Sequence, residues 1–519
     1  MATLTGSQLA AVASPSPALC IVAGAGSGKT RVLALRVARR IEDGSADADH
    51  TAVCTFTRKA AGELRQRLRH YGVAVSTPAP PGGAPGPGVR AGTLHQMALT
   101  LLRRHALDLR LPPPSVIEHR FGLVRQIVGD PVTASVVETE IGWAKARCLG
   151  PVTYAEAADR AGRNLTVGSS QVAEAFASYE DALRRRRSLD LDDVLVNAAE
   201  LLQADTPFAE GMHWRYRHLS VDEFQDVNPA QFGLIRGLMG ERNDLCAVGD
   251  PNQAIYGWNG ADPTLLARLP ALVPDMEVLH LGENHRSTPQ VVAAANAGLG
   301  GSPIAPPRSV VSEGPMPVVA AFDDEGAEAE AVVSLIVERS GDGTPWSAQA
   351  VLARTHDQLA VVGSALARAG VPYRMAPGPE SPAGDGPAST GPVGRRPGRQ
   401  GPDDDHAVEL ATFHRAKGLE WRSVYVVGIE DGFVPIVFAA TEEAKAEERR
   451  LLYVALSRAS HDLHCSWARG RRLPGGRVIE RQPSPWLAGV ARVSRTGSGR
   501  ITPQDAGRRI AEIRASLNR

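Results

Sequence analysis

An apolar run, Ala18-Leu19-Cys20-Ile21-Val22, leads into Ala23-Gly24-Ala25-Gly26-Ser27-Gly28-Lys29-Thr30, and then into a segment whose Val32, Leu33, Leu35, Val37, Ala38 and Ile41 keep helical spacing. Strand, glycine-rich turn and helix in that order commit the start of the chain to an α/β unit with an anion at the turn. The glycines let successive backbone N–H groups face a phosphate, and the following helix adds the positive end of its dipole. Lys29 supplies a point charge and Thr30 a hydroxyl for Mg²⁺. The strict form of such a loop has glycine first, where this chain has Ala23. The loop predicts a bound nucleotide and leaves its use open.

The 519 residues suffice for two to four domains. With 43% hydrophobic and 22% charged residues and no run of eighteen apolar residues, a soluble globular protein is expected. Formal net charge is zero, so a nucleic-acid partner must be held by local patches. Five widely separated cysteines, with no CxxC spacing, argue against a zinc or iron–sulfur site and fit a reducing cytosol. The first residues show no basic region followed by an apolar core, so a cytoplasmic protein is expected.

Residues 1–75 read as strand–helix–strand–helix, and TPAPPGGAPGPG, between Val75 and Arg90, as a surface insertion. Residues 93–205 are helix-patterned. Strand patterns resume at Leu219–Val221, Leu245–Val248 and Val278–Leu281. A second α/β set follows at Val318–Phe322, Ala350–Arg354, Val408–Phe413, Ser423–Gly428 and Leu463–Trp467. Residues 377–405 are almost devoid of large apolar side chains and read as a disordered linker. The tail beyond Val493 is expected to hold a short basic helix.

Leu219-Ser220-Val221-Asp222-Glu223 sets an acidic pair at the end of a buried strand. Opposite a phosphate loop, such a pair suits a metal-holding carboxylate (Asp222) and a water-activating one (Glu223).

At this point the chain resembles a superfamily 1A DNA helicase of the UvrD/Rep/PcrA type. The matching segments, in the family's order, are LTGSQLAAV, AGAGSGKTR, TFTRKAA, GTLHQMA, LDLDDVL, VDEFQDVNPAQ, GDPNQAIYGWNGA, ENHRST, ATFHRAKGLEW and EERRLLYVALSRA. The resemblance implies two tandem RecA-like P-loop NTPase domains with a helical insertion in the first. The boundaries implied are 1–92 with 206–277 for the first domain, 93–205 for the insertion, 278–376 with 406–492 for the second, and 493–519 for a tail. In place of the 2B arm, which relatives insert at 377–405, stands the linker.

ATP and Mg²⁺ are the implied cofactors. Gly24, Ala25, Gly26, Ser27, Gly28, Lys29 and Thr30 would cradle the phosphates, Gln8 would pair with the adenine edge, and Arg31 would lie on the base. His285 stands where a tyrosine usually stacks on adenine, and Glu420 resembles the ribose-contacting residue. Gln253 would sense the γ-phosphate, and Arg286 and Arg458 resemble the two arginines that bring charge to it. For single-stranded DNA, Phe56, Tyr256 and Trp258 fall where bases stack, and Thr57, Arg58, Thr93, His95 and His414 where the backbone is contacted. Tyr256 also admits a purely structural role.

Asn259 stands where an arginine is common, which would weaken coupling of DNA to nucleotide. Arg184 to Arg187 suit either backbone phosphate or a plain solvated helix face. The implied partners are single-stranded DNA, single-strand/duplex junctions and repair or replication proteins, with no membrane, for a monomer or weak oligomer. Three functions stay open: a 3′–5′ DNA helicase of repair or replication, a translocase or motor subunit with little unwinding of its own, and a DNA-independent ATPase switch.

Overall fold

The computed structural model describes residues 4–77, 86–163, 165–375, 406–472 and 476–497. The chain divides after Gly282 into two units, each built on its own parallel sheet.

The first unit runs α1 (Gly6–Ala13), β1 (Ala18–Ala23), α2 (Lys29–Glu42), β2 (Thr51–Thr55), α3 (Arg58–His70), β3 (Arg90–Thr93) and α4 (Leu94–Asp108). It continues with β4 (Ser115–Val116), α5 (Phe121–Val128), α6 (Pro131–Ala146), α7 (Pro151–Arg160), α8 (Ser169–Arg186), β5 (Ser188–Leu189), α9 (Leu191–Ala204) and α10 (Thr206–Arg215). It closes with β6 (His218–Val221), α11 (Pro229–Met239), β7 (Leu245–Gly249), α12 (Leu265–Leu272) and β8 (Glu277–Leu281). The sheet order is β3-β2-β6-β7-β1-β8. Its inner strands, ALCIVA, TAVCT and LCAVG, are apolar on both faces because helices cover both. One face packs on Val32, Leu33 and Val37 of α2 with Leu64 and Leu68 of α3. The other packs on α4, α9 and α11.

Three expected boundaries change. The first domain does not end at 277: β8 pairs with β1 from Leu19 opposite Glu277 to Ala23 opposite Leu281, so the edge strand belongs to the first sheet. The insertion is smaller than 93–205, because Leu94, Met97 and Leu101 of α4 and Val194, Leu195 and Leu202 of α9 lie in the sheet's own core. Only α5 to α8 build a separate core, around Ile141, Tyr154, Phe176 and Tyr179. The tail does not begin at 493. Arg495–Gly497 form a parallel strand that pairs with the backbone edge of the second sheet at Val318–Ala320, a pairing that the short polar RTG segment does not announce in sequence. The proposed linker at 377–405 and the expected tail helix lie outside the described residues.

The second unit holds β9 (Glu283–Asn284), α13 (Pro289–Leu299), β10 (Arg308–Ser309), β11 (Val318–Asp324), α14 (Glu325–Gly341), β12 (Gln349–Ala353), α15 (His356–Ala369) and β13 (Tyr373–Met375). After the undescribed stretch come β14 (Val408–Thr412), β15 (Trp421–Val426), α16 (Glu442–Leu456), β16 (Ala459–Arg472), β17 (Val478–Glu480), α17 (Leu487–Arg492) and β18 (Arg495–Gly497). Its sheet runs β13-β14-β12-β15-β16-β11-β18, with β17 hairpinned antiparallel onto the long β16. All five strands expected from the sequence lie in it.

Candidate functional site

The glycine loop turns between β1 and α2. Gly26 and Gly28 sit at φ 73° and 80°, the left-handed region that glycine enters freely. A β-carbon at Gly28 would also stand 3.2 Å from Gln8 Nε2. Ser27 Oγ donates to the Gly24 carbonyl at 2.8 Å and closes the loop on itself. Gly28 caps α2 without a side-chain bond, and no acid occupies the first turn, so the helix N-terminus keeps its positive end for an anion. Gln8 is buried. Its Nε2 donates to the Ser27 carbonyl at 2.9 Å and its Oε1 accepts the Thr5 N–H at 3.3 Å. The residue expected to read adenine thus also braces the phosphate loop.

Lys29 Nζ lies 3.5 Å from the carbonyls of Ala23 and Gly24 and 3.7 Å from Asp250 Oδ2. Thr30 Oγ1 donates to Asp222 Oδ2 at 2.7 Å, across the sheet from the end of β6. Burial, and then the adjacent Glu223, push the Asp222 carboxyl up to about 6. A hydroxyl and a buried carboxylate converging in this way form a hard-oxygen donor pair that suits Mg²⁺. Glu223 leaves the strand at φ 53°, a conformation that non-glycine residues rarely hold.

Two buried residues not singled out from the sequence join these groups. Asp250, at the end of β7, accepts from Gln253 Nε2 at 2.6 Å and faces Lys29. Gln225 donates to Glu223 Oε2 at 2.5 Å and accepts the Asp250 N–H at 2.9 Å. Both stand inside the segments VDEFQD and GDPNQ. The only sequence signal for them was that position.

Phe56 and Tyr256 stack on each other, with centroids 5.3 Å apart and planes 15° apart, while Trp258 is about half exposed. The Thr57 and Thr93 hydroxyls accept from the N–H groups of Ala60 and Gln96 as helix caps, which places two helix N-termini beside the same edge of the sheet. Arg58 is exposed and Arg31 half-buried. Burial lowers the His95 imidazole below its usual range. The loop carrying Trp258 rests on α6: a β-carbon at Gly260 would meet Ala146 Cβ at 2.5 Å. Asn259 faces Gly142 of the same helix. Arg184 to Arg187 are exposed, and Arg184 pairs with Asp181.

In the second unit Arg286 pairs with Glu420 at 2.5 Å, joining two residues that the sequence had given separate roles. Arg458 is buried and donates to the carbonyls of Val454 and Leu419 at 2.9 and 3.1 Å. His285 is exposed, 4.0 Å from Glu283. Burial, then the charges of Arg354 and Lys417, press the His414 imidazole down to about 3.

A lysine and a threonine at the mouth of a glycine turn, with the threonine held by a carboxylate from a parallel strand of the same sheet, place the chain among the P-loop nucleotide-binding proteins. Its first 4–273 residues match the UvrD/REP helicase N-terminal domain, and residues 279–378 and 398–470 match the UvrD-like helicase C-terminal domain. The chain belongs to the UvrD/Rep helicase family. It is 32% identical to the ATP-dependent DNA helicase UvrD2 of Mycobacterium tuberculosis (strain ATCC 25618 / H37Rv), over 95% of this chain and 82% of that protein. It is 30% identical to DNA helicase II of Escherichia coli (strain K12), over 72% of this chain and 51% of that protein. Against the latter the chain spans about half the relative's length. Among the described residues no helix is long and apolar enough to cross a membrane.

Proposed function

We propose that this UvrD/Rep-family helicase hydrolyses ATP at the β1–α2 loop and uses the cycle to step 3′ to 5′ along single-stranded DNA. The observation that carries the reading is the Thr30–Asp222 bond at 2.7 Å beside Lys29, with Glu223 next in the chain. Loop N–H groups and Lys29 hold the phosphates, and Glu223 orients the attacking water and takes its proton. Thr30 and Asp222 would hold Mg²⁺, which neutralises developing phosphate charge when bound. Gln253 senses the γ-phosphate, and Arg286 and Arg458 supply positive charge to it. Gln8, Arg31, His285 and Glu420 contact the nucleoside.

Bases stack on Phe56, Tyr256 and Trp258, and the backbone runs past Thr57, Arg58, Thr93, His95 and His414. The domain reading carries over with the first sheet extended to Leu281. Single-strand/duplex junctions, repair or replication proteins, a monomeric or weakly associating state and a cytoplasmic location belong to the same reading.

The second match pauses between residues 378 and 398, where relatives of this type carry an arm against duplex DNA, and this favours a second reading in which the protein translocates with little unwinding. Tailed duplexes of both polarities test the first reading: ATP-dependent strand separation is expected only with a 3′ tail. Streptavidin displacement without strand separation would establish the second. ATP turnover indifferent to single-stranded DNA would sink both.

A further inference from the structure

Glu223 must aim its carboxylate at a water, yet it sits on a backbone that puts it outside the strand's regular geometry. What fixes its side chain is visible beneath it. Gln225, in the 3₁₀ turn Phe224–Asp226, is fully buried, and its amide meets two different chemistries at its two ends. Nε2 donates to Glu223 Oε2 at 2.5 Å, while Oε1 accepts the Asp250 N–H at 2.9 Å. Room for the amide exists because residue 249 has no side chain: a β-carbon there would stand 2.7 Å from Gln225 Oε1.

From Asp250 the contacts continue. Its carboxylate accepts the Asn252 N–H at 3.0 Å and Gln253 Nε2 at 2.6 Å, fixing the turn that leads directly to Tyr256, whose ring stacks on Phe56. We infer that Gln225 is a positioning residue, which sets the orientation of the Glu223 carboxylate and locks it to the Asp250–Gln253 turn at the root of the base-stacking loop. The inference rests on the hydrolytic role of Glu223 proposed above.

Only a side chain with a donor at one end and an acceptor at the other satisfies both neighbours, which singles out glutamine at this length. Gln225→Met keeps the shape and removes both bonds. Gln225→Glu keeps an acceptor for Asp250 and sets a second carboxylate against Glu223. The test, on the full chain with saturating single-stranded oligonucleotide, measures kcat and KM for ATP, fluorescent-nucleotide Kd, oligonucleotide Kd and the thermal midpoint.

Both variants are expected to lose about tenfold or more in kcat, with KM, both Kd values and the midpoint little changed. A kcat within about twofold of the parent in Gln225→Met overturns the inference, as does joint loss of nucleotide binding and thermal stability in both variants, which marks a purely structural role. Should Gln225→Met fail to fold, Gln225→Glu decides on the same criteria. Glu223→Gln serves as the reference. If it retains turnover, the hydrolytic reading itself has failed; if it is inactive while Gln225→Met turns over normally, only the present inference has.

Discussion

Both sheets contain a penultimate strand that runs into a long helix: β1 into α2 beside edge strand β8, and β11 into α14 beside edge strand β18. The two junctions have opposite electrostatics. α2 is preceded by Gly28 as its cap residue, has no side-chain cap and carries no acid in its first turn, so none of its own side chains answers its positive end. α14 begins with Asp324, whose carboxylate accepts the Ala327 N–H at 2.8 Å, and Glu325 and Glu328 follow in its first turn. Glu328 is itself buried, held by Arg471 at 2.5 Å and by Ser466. The second unit answers its helix dipole with its own carboxylates and so repels phosphate where the first unit attracts it. One sheet plan has yielded one helix N-terminus left open for the proposed nucleotide phosphates and one answered by its own carboxylates.

The comparison breaks most sharply at Lys29. Lys29→Ala is expected to lower ATP turnover by at least ~10³-fold, since a single preorganised charge on phosphoryl oxygens is lost. Turnover near the parent rate would mean that the first junction is not the catalytic one. Glu223→Gln should leave nucleotide affinity intact and cut hydrolysis by roughly 10²-fold or more. Lost binding in that variant would point to a scaffold role for the residue.

How far the sequence alone reaches is visible at these same residues. The loop, the acidic pair and the longer apolar strands of both sheets were legible, because apolar runs and glycine spacing are local signals, whereas the short strands β3, β13, β17 and β18 carry no such run and were not read. The edge strand β8 was recognised as a strand and then assigned across the boundary, since EVLHL does not say which sheet it joins. The limits of the insertion were misplaced for a similar reason: α4, α9 and α5–α8 are all helix-patterned, and only packing decides whose core each completes. Gln225 and Asp250 stayed hidden because their importance lies in partners that the chain brings together only when folded. Arg458 was legible as a cation but not as a buried one that donates to two carbonyls.

A smaller effect tests the DNA contacts proposed for the first unit. Trp258→Ala should weaken single-strand binding by about 1–3 kcal/mol at fixed salt, because this ring is exposed while Phe56 and Tyr256 already cover each other. An unchanged Kd removes Trp258 from the track. At the second junction, Asp324→Ala should cost about 1 kcal/mol of stability through the lost cap, read by chemical denaturation, with nucleotide Kd unaltered. A shift in nucleotide affinity would show that the two junctions are less different than their charges suggest.

The smallest expected effect concerns charge at His414, the backbone contact proposed for the second unit. His414 is pressed down to about 3 by burial and by Arg354 and Lys417, so its imidazole is neutral at pH 6 and at pH 8 and adds no positive charge to a phosphate contact. Oligonucleotide Kd for the parent and for His414→Gln should therefore differ by the same factor at both pH values, at constant salt. A parent affinity that rises several-fold at pH 6, with no such rise in the variant, would show a protonated contact instead. The sign for stability is opposite to that of an ion-paired histidine. The unfolded imidazole binds a proton near pH 6.5 and the folded one resists it, so the neutral site contributes fully above that value and its contribution falls as the pH drops toward the folded value. Acidification from pH 7 to 5 should cost the parent more stability than His414→Gln, and denaturant midpoints at the two pH values read the difference directly.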